Sequence, residues 1–341
     1  MNTSDDKYRI TTIHAGNEKA AGEAIGLLTS VFGPSFYSAA YWRWKYCDNP
    51  FGESILVEGR AASSDDTMAG FRAFWRWRFW CQGREIDAAQ PCDTAVHKSC
   101  RRAGLFSRMT NRAVKQAKAA SIDVLFNNPN PEAERGYLKL GWVDLGGLRW
   151  YARPVNKVPL LKELVRWRGK TPEAVYSNPE SVWTGSMAEP GVGGLLDAYR
   201  SEHPGLLTTA RSCEFLRWRY SASPHRKYGA EFVGEGTRVD AMVFYGIAGR
   251  GTIREVQILD VIALRSAATA LSAALEIIND RERPDWMVFA SSKGFPLAGA
   301  LRQCGFLRIP RTSSLIGRQI GSVEAPDLDS LGMTLGDLDT F

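Results

Sequence analysis

The chain has 341 residues, 44% of them hydrophobic and 23% charged, the balance of a globular protein long enough for two domains. It has no apolar run of membrane-spanning length, no secretory pattern in its polar first residues and no CxxC pair among its six cysteines, which argues against a membrane span, zinc and disulfide frameworks and for a reducing, cytoplasmic setting. The net charge of +6 suits nucleic acid, an anionic membrane surface or an anionic co-substrate, and does not choose among them.

In chain order, residues 8–13 read as a strand and 18–32 as an amphipathic helix. Residues 68–80 and 85–97 alternate as two long antiparallel strands joined at Gln82-Gly83. The first of them reads Phe71-Arg-Ala-Phe-Trp-Arg-Trp-Arg-Phe-Trp80, with Arg72, Arg76 and Arg78 on one face and Phe71, Trp75, Trp77 and Phe79 on the other. Aromatic faces beside positive charge are what a platform for single-stranded nucleic acid needs. A strand with one core face and one solvated face shows the same alternation, and that is the preferred reading.

The second long strand runs into Asp93-Thr-Ala-Val-His-Lys-Ser-Cys-Arg-Arg-Ala-Gly-Leu-Phe106. A helix follows over 104–120, with Phe106, Met109, Ala113 and Ala117 at core spacing. Strand, basic glycine-bearing loop and helix start together make an anion site, because backbone N–H groups and the positive helix end face the anion. The loop is neither a P-loop nor Gly-x-Gly-x-x-Gly. Downstream, 124–128 is a short buried strand stopped by Asn and Pro. The next helix has Asn130 as its N-cap, Pro131 in its first turn and Gly141 as a left-handed C-cap.

The loop resembles the Arg/Gln-x-x-Gly-x-Gly/Ala loop of the GCN5-related N-acetyltransferases (GNAT). Arg101 takes the first position and Gly104 the fourth, while Phe106 stands where Gly or Ala is usual and has to turn its ring away from the phosphates. Tyr137-Leu-Lys-Leu-Gly-Trp142 resembles the helix end Tyr-x-x-x-Gly-Phe/Trp of the same family. The resemblance covers about residues 50 to 150. It implies that Arg101, Arg102, Ala103, Gly104, Leu105, Phe106 and Ser107 hold the pyrophosphate of acetyl-CoA or another acyl-CoA, that Thr94, Ala95 and Val96 meet its pantetheine arm, and that Asn128 joins them. It also implies that Tyr137 is the general acid that protonates the leaving thiolate. For the base that deprotonates an amine, Asp93, Asp87 and Glu85 lie on the strand lining the cleft, and Asp93 is preferred as nearest to Thr94–Val96. No grouping of histidine and cysteine supports a metal site or a thiol nucleophile.

The chain also echoes itself. Arg43-Trp-Lys-Tyr46 followed by Pro50 is matched by Arg217-Trp-Arg-Tyr220 followed by Pro224, and the strands 54–58 and 230–234 follow them. Residues 287–291 and the helix end Leu301-Arg-Gln-Cys-Gly-Phe306 repeat 124–128 and Leu138-Lys-Leu-Gly-Trp142. The order of the echoes argues for tandem copies of one fold. In the second copy, 265–271 has no glycine and Leu301 stands where Tyr137 would. The expected architecture is therefore α/β: two tandem GNAT-like domains, each a mixed, splayed, mostly antiparallel sheet flanked by helices. A catalytic domain is expected over 1–155, a linker with a helix over 156–195, and a degenerate second domain over 196–341. The expected activity is transfer of an acetyl or other acyl group from acyl-CoA to a primary amine of a small molecule or amino sugar, with no metal and no nucleic-acid partner. The alternative is a non-catalytic or nucleic-acid-binding module built on 71–80. The acyl length, a carrier-protein donor and the oligomeric state stay open.

Overall fold

The structure, a computed structural model, describes residues 7–33, 37–62, 66–167, 172–321 and 328–339. The first part of the chain runs through β1 (Tyr8–Ile13), α1 (Glu18–Phe32), α2 (Ala39–Trp42), β2 (Ile55–Ala61), β3 (Met68–Cys81), β4 (Arg84–Val96), α3 (Leu105–Ala119), β5 (Val124–Asn127), α4 (Pro131–Lys139) and β6 (Val143–Asp144). It continues through β7 (Leu148–Pro154), α5 (Lys157–Trp167), β8 (Val175–Ser177), α6 (Glu189–Glu202), β9 (Thr208–Thr209), α7 (Cys213–Leu216), β10 (Gly229–Glu235), β11 (Arg238–Arg250), β12 (Ile253–Ala263), α8 (Ala268–Glu282), β13 (Trp286–Ser291), α9 (Ala298–Gln303), β14 (Leu307–Ser313) and β15 (Ile316–Gln319). No helix among the described residues is long and apolar enough to cross a membrane.

These elements form two compact units that alternate along the chain. The first holds residues 1–79, 85–145 and 315–325, and the second holds 80–84, 146–314 and 326–341. The first sheet has the order β1-β2-β3-β4-β5-β15-β6, and the second β10-β11-β12-β13-β7-β14. β4 pairs with β5 and β12 with β13 in parallel, while β1 with β2, β2 with β3, β5 and β6 with β15, β10 and β12 with β11, and β13 and β14 with β7 pair antiparallel. The last strands are exchanged. β7 follows β6 in sequence yet lies between β13 and β14, and β15 follows β14 yet lies between β5 and β6.

Local chemistry explains the elements that carry the site. The β3–β4 turn has Gln82 at φ 51° and Gly83 at φ 77°, the left-handed pair of a two-residue turn that matches strand twist. On α3, Leu105, Met109, Ala113 and Ala117 are buried at helical spacing in the core of the first unit. α4 starts at Asn130, whose side chain accepts from the Ala133 N–H at 2.8 Å, and its chain reverses at Gly141 with φ 79°.

The internal echo is also a structural repeat. Ser38 caps α2 through the Tyr41 N–H, and the helix then widens into a π-turn over Arg43–Cys47. Ser212 caps α7 through the Phe215 N–H, and that helix widens over Arg217–Ser221. Each widened turn buries its second, third and fourth side chains, Trp44, Lys45 and Tyr46 in one and Trp218, Arg219 and Tyr220 in the other. Single π-turns of this kind aim side chains that a regular helix would point elsewhere.

Candidate active site

The site begins where the first sheet splays. β4 and β5 pair only at Ala88 with Val124 and at Ala89 with Leu125. On its other side β5 stays bonded, down to Ile316 opposite Asn127. Past Ala89, then, β4 runs on to Val96 without β5 as its partner. Within that stretch Asp93 has φ 44°, a left-handed kink that an L-residue holds only when its surroundings enforce it. Thr94, Ala95 and Val96 follow the kink, and Asn128 ends the other arm of the gap.

The loop after β4 turns twice through left-handed backbone, at Arg102 (φ 65°) and Gly104 (φ 73°). Gly104 is the N-cap of α3, and no side chain caps that helix start. A Cβ on Gly104 would meet nothing within 4 Å, so the glycine is there for its conformation and the space beside it is open. Arg101, Arg102 and Ser107 are exposed, Ala103 and Phe106 half-buried, and Leu105 buried. An open, uncapped helix start flanked by two exposed arginines fits the pyrophosphate of CoA. Phe106 turns inward as its size requires. Its ring meets Tyr137 edge-on at 5.5 Å, and a Cβ on Gly136 would lie 2.9 Å from its Cε1. Gly136 is thus needed for this packing, a role that sequence reading missed because a lone glycine inside a helix carries no partner information.

Tyr137 is 3% exposed and sits between Phe106 and Trp142, whose ring lies 4.9 Å away. Its hydroxyl accepts a short hydrogen bond from Arg72 Nη2. The other arm of that guanidinium, Nη1, donates to Thr94 Oγ1 at 2.7 Å. Burial pushes the Tyr137 phenol above its ordinary value. Arg72 and a hydrogen bond with Asn127 pull it part of the way back. The phenol is therefore protonated at neutral pH.

Asp93 has a different surrounding. Lys45 Nζ lies 2.5 Å from its Oδ2, the Tyr46 hydroxyl makes a short bond to the same oxygen, and the Tyr37 hydroxyl donates to Oδ1 at 3.1 Å. Burial pushes the carboxyl up, but Lys45 and the hydrogen bonds from Lys45, Tyr46 and Tyr37 outweigh it and hold Asp93 below the usual carboxylate range. The second unit repeats the tyrosine–aspartate link, with the Tyr220 hydroxyl 3.2 Å from Asp260 Oδ2. The link therefore belongs to the repeated fold, and Asp93 lies among anchoring groups. Lys45 and Tyr46 were visible in the sequence only as part of the echo; nothing marked them as partners of Asp93.

The basic, aromatic strand forms no stacking platform. Phe71, Trp75, Trp77 and Phe79 are buried. Arg76 pairs with Asp87 at 3.1 Å, and Arg78 pairs with Glu85 at 3.0 Å and with Asp87 at 3.1 Å. Arg72, expected beside them on a solvated face, is instead fully buried, because the rest of its strand face is covered by Thr94, Phe106 and Tyr137.

Comparison with known proteins agrees with this geometry. Residues 12–143 match the family model of the acetyltransferase (GNAT) domain. No curated protein matches the sequence. Among solved structures, a GCN5-related N-acetyltransferase from Anabaena variabilis is similar over 92% of this chain and 73% of its own, with TM-score 0.63 and 14% identity. An Enterococcus faecalis protein described as a probable N-acyltransferase is similar over 92% and 73%, with TM-score 0.62 and 13% identity. The N-myristoyltransferase of Saccharomyces cerevisiae, solved with bound myristoyl-CoA, is similar over 98% and 90%, with TM-score 0.59 and 11% identity. The structural likenesses establish the two-sheet fold, and the family match establishes the class of the domain it spans: residues 12–143 carry an acetyltransferase domain of the GNAT type.

Proposed function

We propose that the first unit transfers an acetyl or other short acyl group from acyl-CoA to a primary amine of a small molecule, with an amino sugar as the first candidate. The observation that carries this reading is the single guanidinium that bonds both Tyr137 and Thr94. It sets the expected acid against the strand segment expected to hold the thioester. Acyl-CoA supplies an activated acyl group and a thiol leaving group. The chain would hold it through the backbone of Thr94, Ala95 and Val96, the loop from Arg101 to Ser107, and Asn128. Tyr137 keeps a proton at its hydroxyl for the leaving sulfur. Asp93, a carboxylate with depressed proton affinity, anchors Lys45 and the kinked strand, and the acceptor enters as free amine or sheds its proton to water. Catalysis is assigned to this first unit, and the second unit binds no CoA. No disulfide joins the cysteines of the described residues, which supports a cytoplasmic setting.

Titration calorimetry with acetyl-CoA and with myristoyl-CoA tests the donor. Gly104→Val cannot hold φ 73° without strain. It should weaken binding by about tenfold or more, as expected when roughly 1–3 kcal/mol of strain falls on the loop, while the fold survives. Unchanged affinity would remove the loop from the site. Tyr137→Phe should keep donor affinity and lose about 10²-fold or more in turnover.

A further inference from the structure

Arg72 is a buried cation with no anion beside it among the described residues. Its side chain is fully buried, and no carboxylate among the described residues pairs with it. Instead its guanidinium reaches two hydroxyls, Thr94 Oγ1 and Tyr137 Oη, and its Nε has no hydrogen-bond partner among the described residues. Three rings surround it, with centroids 4.9 Å away for Phe106, 5.1 Å for Tyr137 and 5.3 Å for Phe74. Buried charges ordinarily come with a counter-charge. Arg211, also buried, follows that rule, with Asp260 at 2.7 Å and Asp337 at 2.6 Å. A cation left unpaired beside one phenol is placed to meet an anion that forms there.

We propose that Arg72 is a positioning residue for the reaction: it fixes the Tyr137 oxygen against a permanent positive charge, so that the phenolate left by proton transfer forms beside its counter-ion. This rests on the reading of Tyr137 as the acid. When the acceptor nitrogen forms its bond to the acyl carbon, the carbon–sulfur bond breaks and its electron pair leaves on sulfur. The Tyr137 proton goes to that sulfur. The phenolate is stabilised by the bond it already accepts from Arg72 Nη2, and the proton shed by the acceptor nitrogen returns to it through water. The guanidinium makes that bond before the reaction begins, so no group has to reorient as charge develops. Among the described residues, the other groups facing Tyr137 are Cys92 on β4, Asn127 on β5, and the Phe106 and Trp142 rings. None carries a fixed positive charge, so the role falls to Arg72 alone.

Difluorotyrosine installed at position 137 of the full-length protein, read by fluorine NMR across pH without any ligand, reports the phenol directly. In Arg72→Gln its titration midpoint should rise by about one pH unit or more, and Arg72→Lys should recover part of that rise. A packing role for Arg72 leaves the midpoint in place, and an unmoved midpoint in folded Arg72→Gln overturns the proposal. Should the glutamine variant not fold, the wild-type background decides. There the folded midpoint should stay within about two units of the urea-unfolded value. A displacement of about three to five units, that of a buried group with no partner, overturns the proposal as well. Thiol release from acetyl-CoA with glucosamine as test amine separates this inference from the reading it rests on. Wild-type rates in Tyr137→Phe would end the acid role while leaving the measured coupling intact. A slow Tyr137→Phe with an unmoved midpoint in Arg72→Gln would end only the role of Arg72.

Discussion

Lys45, Tyr46 and Tyr37 all donate to one carboxylate, that of Asp93. Its folded pKa lies below the usual carboxylate value of about 3.9. A depressed carboxylate contributes stability that is fully present above the unfolded value and is lost as pH falls through the folded one. Asp93→Asn should therefore melt well below wild type at pH 7. It breaks the buried ion pair with Lys45, at a cost on the order of 3–5 kcal/mol. The gap between the two melting curves should close as pH drops below about 4. A gap that holds constant down to acid unfolding would show that the native carboxyl is not ionised. The residues that chemistry would use were only partly legible. Asp93 and Tyr137 stood out by type and position in a motif. Arg72 did not, because alternation along a strand reports which face a residue is on and says nothing of what lies over that face. Lys45 meets Asp93 across 48 positions of sequence, a distance no local pattern records.

α3 and α4 were legible as elements because their signals are local: the core spacing of Met109, Ala113 and Ala117, the Asn130 cap and the Gly141 reversal. The π-turns at Arg43–Cys47 and Arg217–Ser221 were not. One extra residue in a turn leaves composition and spacing almost unchanged, so the sequence showed an echo without its geometry. The element proposed to bind the anion also differs between the two units. α8 has Ala267 as its N-cap, at the end of the turn Arg265–Ala267, with no glycine at that start, and Leu301 occupies the place of Tyr137, four residues before the reversal at Gly305 (φ 89°). The same reversal recurs there without the phenol proposed as the acid. Saturating calorimetry with acetyl-CoA should return one molecule per chain, and a stoichiometry of two would show that the glycine at Gly104 is dispensable. Asn130→Ala is a milder probe of α4. Loss of its cap should cost about 1 kcal/mol and lower the melting temperature without changing donor affinity.

For the molecule as a whole, neither sheet is complete within one half of the sequence. Nothing in the sequences of β7 and β15 carries an address, and only the structure shows that they trade places. A chain stopped after residue 155 should therefore fail as a domain. It would expose the edge of β5 that β15 covers, and it would carry β7 without the partners it has in β13 and β14. Gel filtration and circular dichroism of that fragment should show aggregation or partial unfolding. A monomeric fragment with native-like melting and acetyl-CoA affinity would show that β15 contributes little.

The strand exchange also sets a clock on biosynthesis. Domains made on the ribosome ordinarily fold from the N-terminus as each is completed, at ~5–20 residues per second. Here the strand that ends at Asn127 waits for one that begins at Ile316, roughly 10–40 s of elongation at that pace. Throughout that interval the arm of the sheet that frames Tyr137 has an open edge, ready to bind a neighbouring nascent chain. Low temperature and sparse initiation, which keep nascent copies apart, should raise the soluble yield of this protein more than stabilising substitutions in either core.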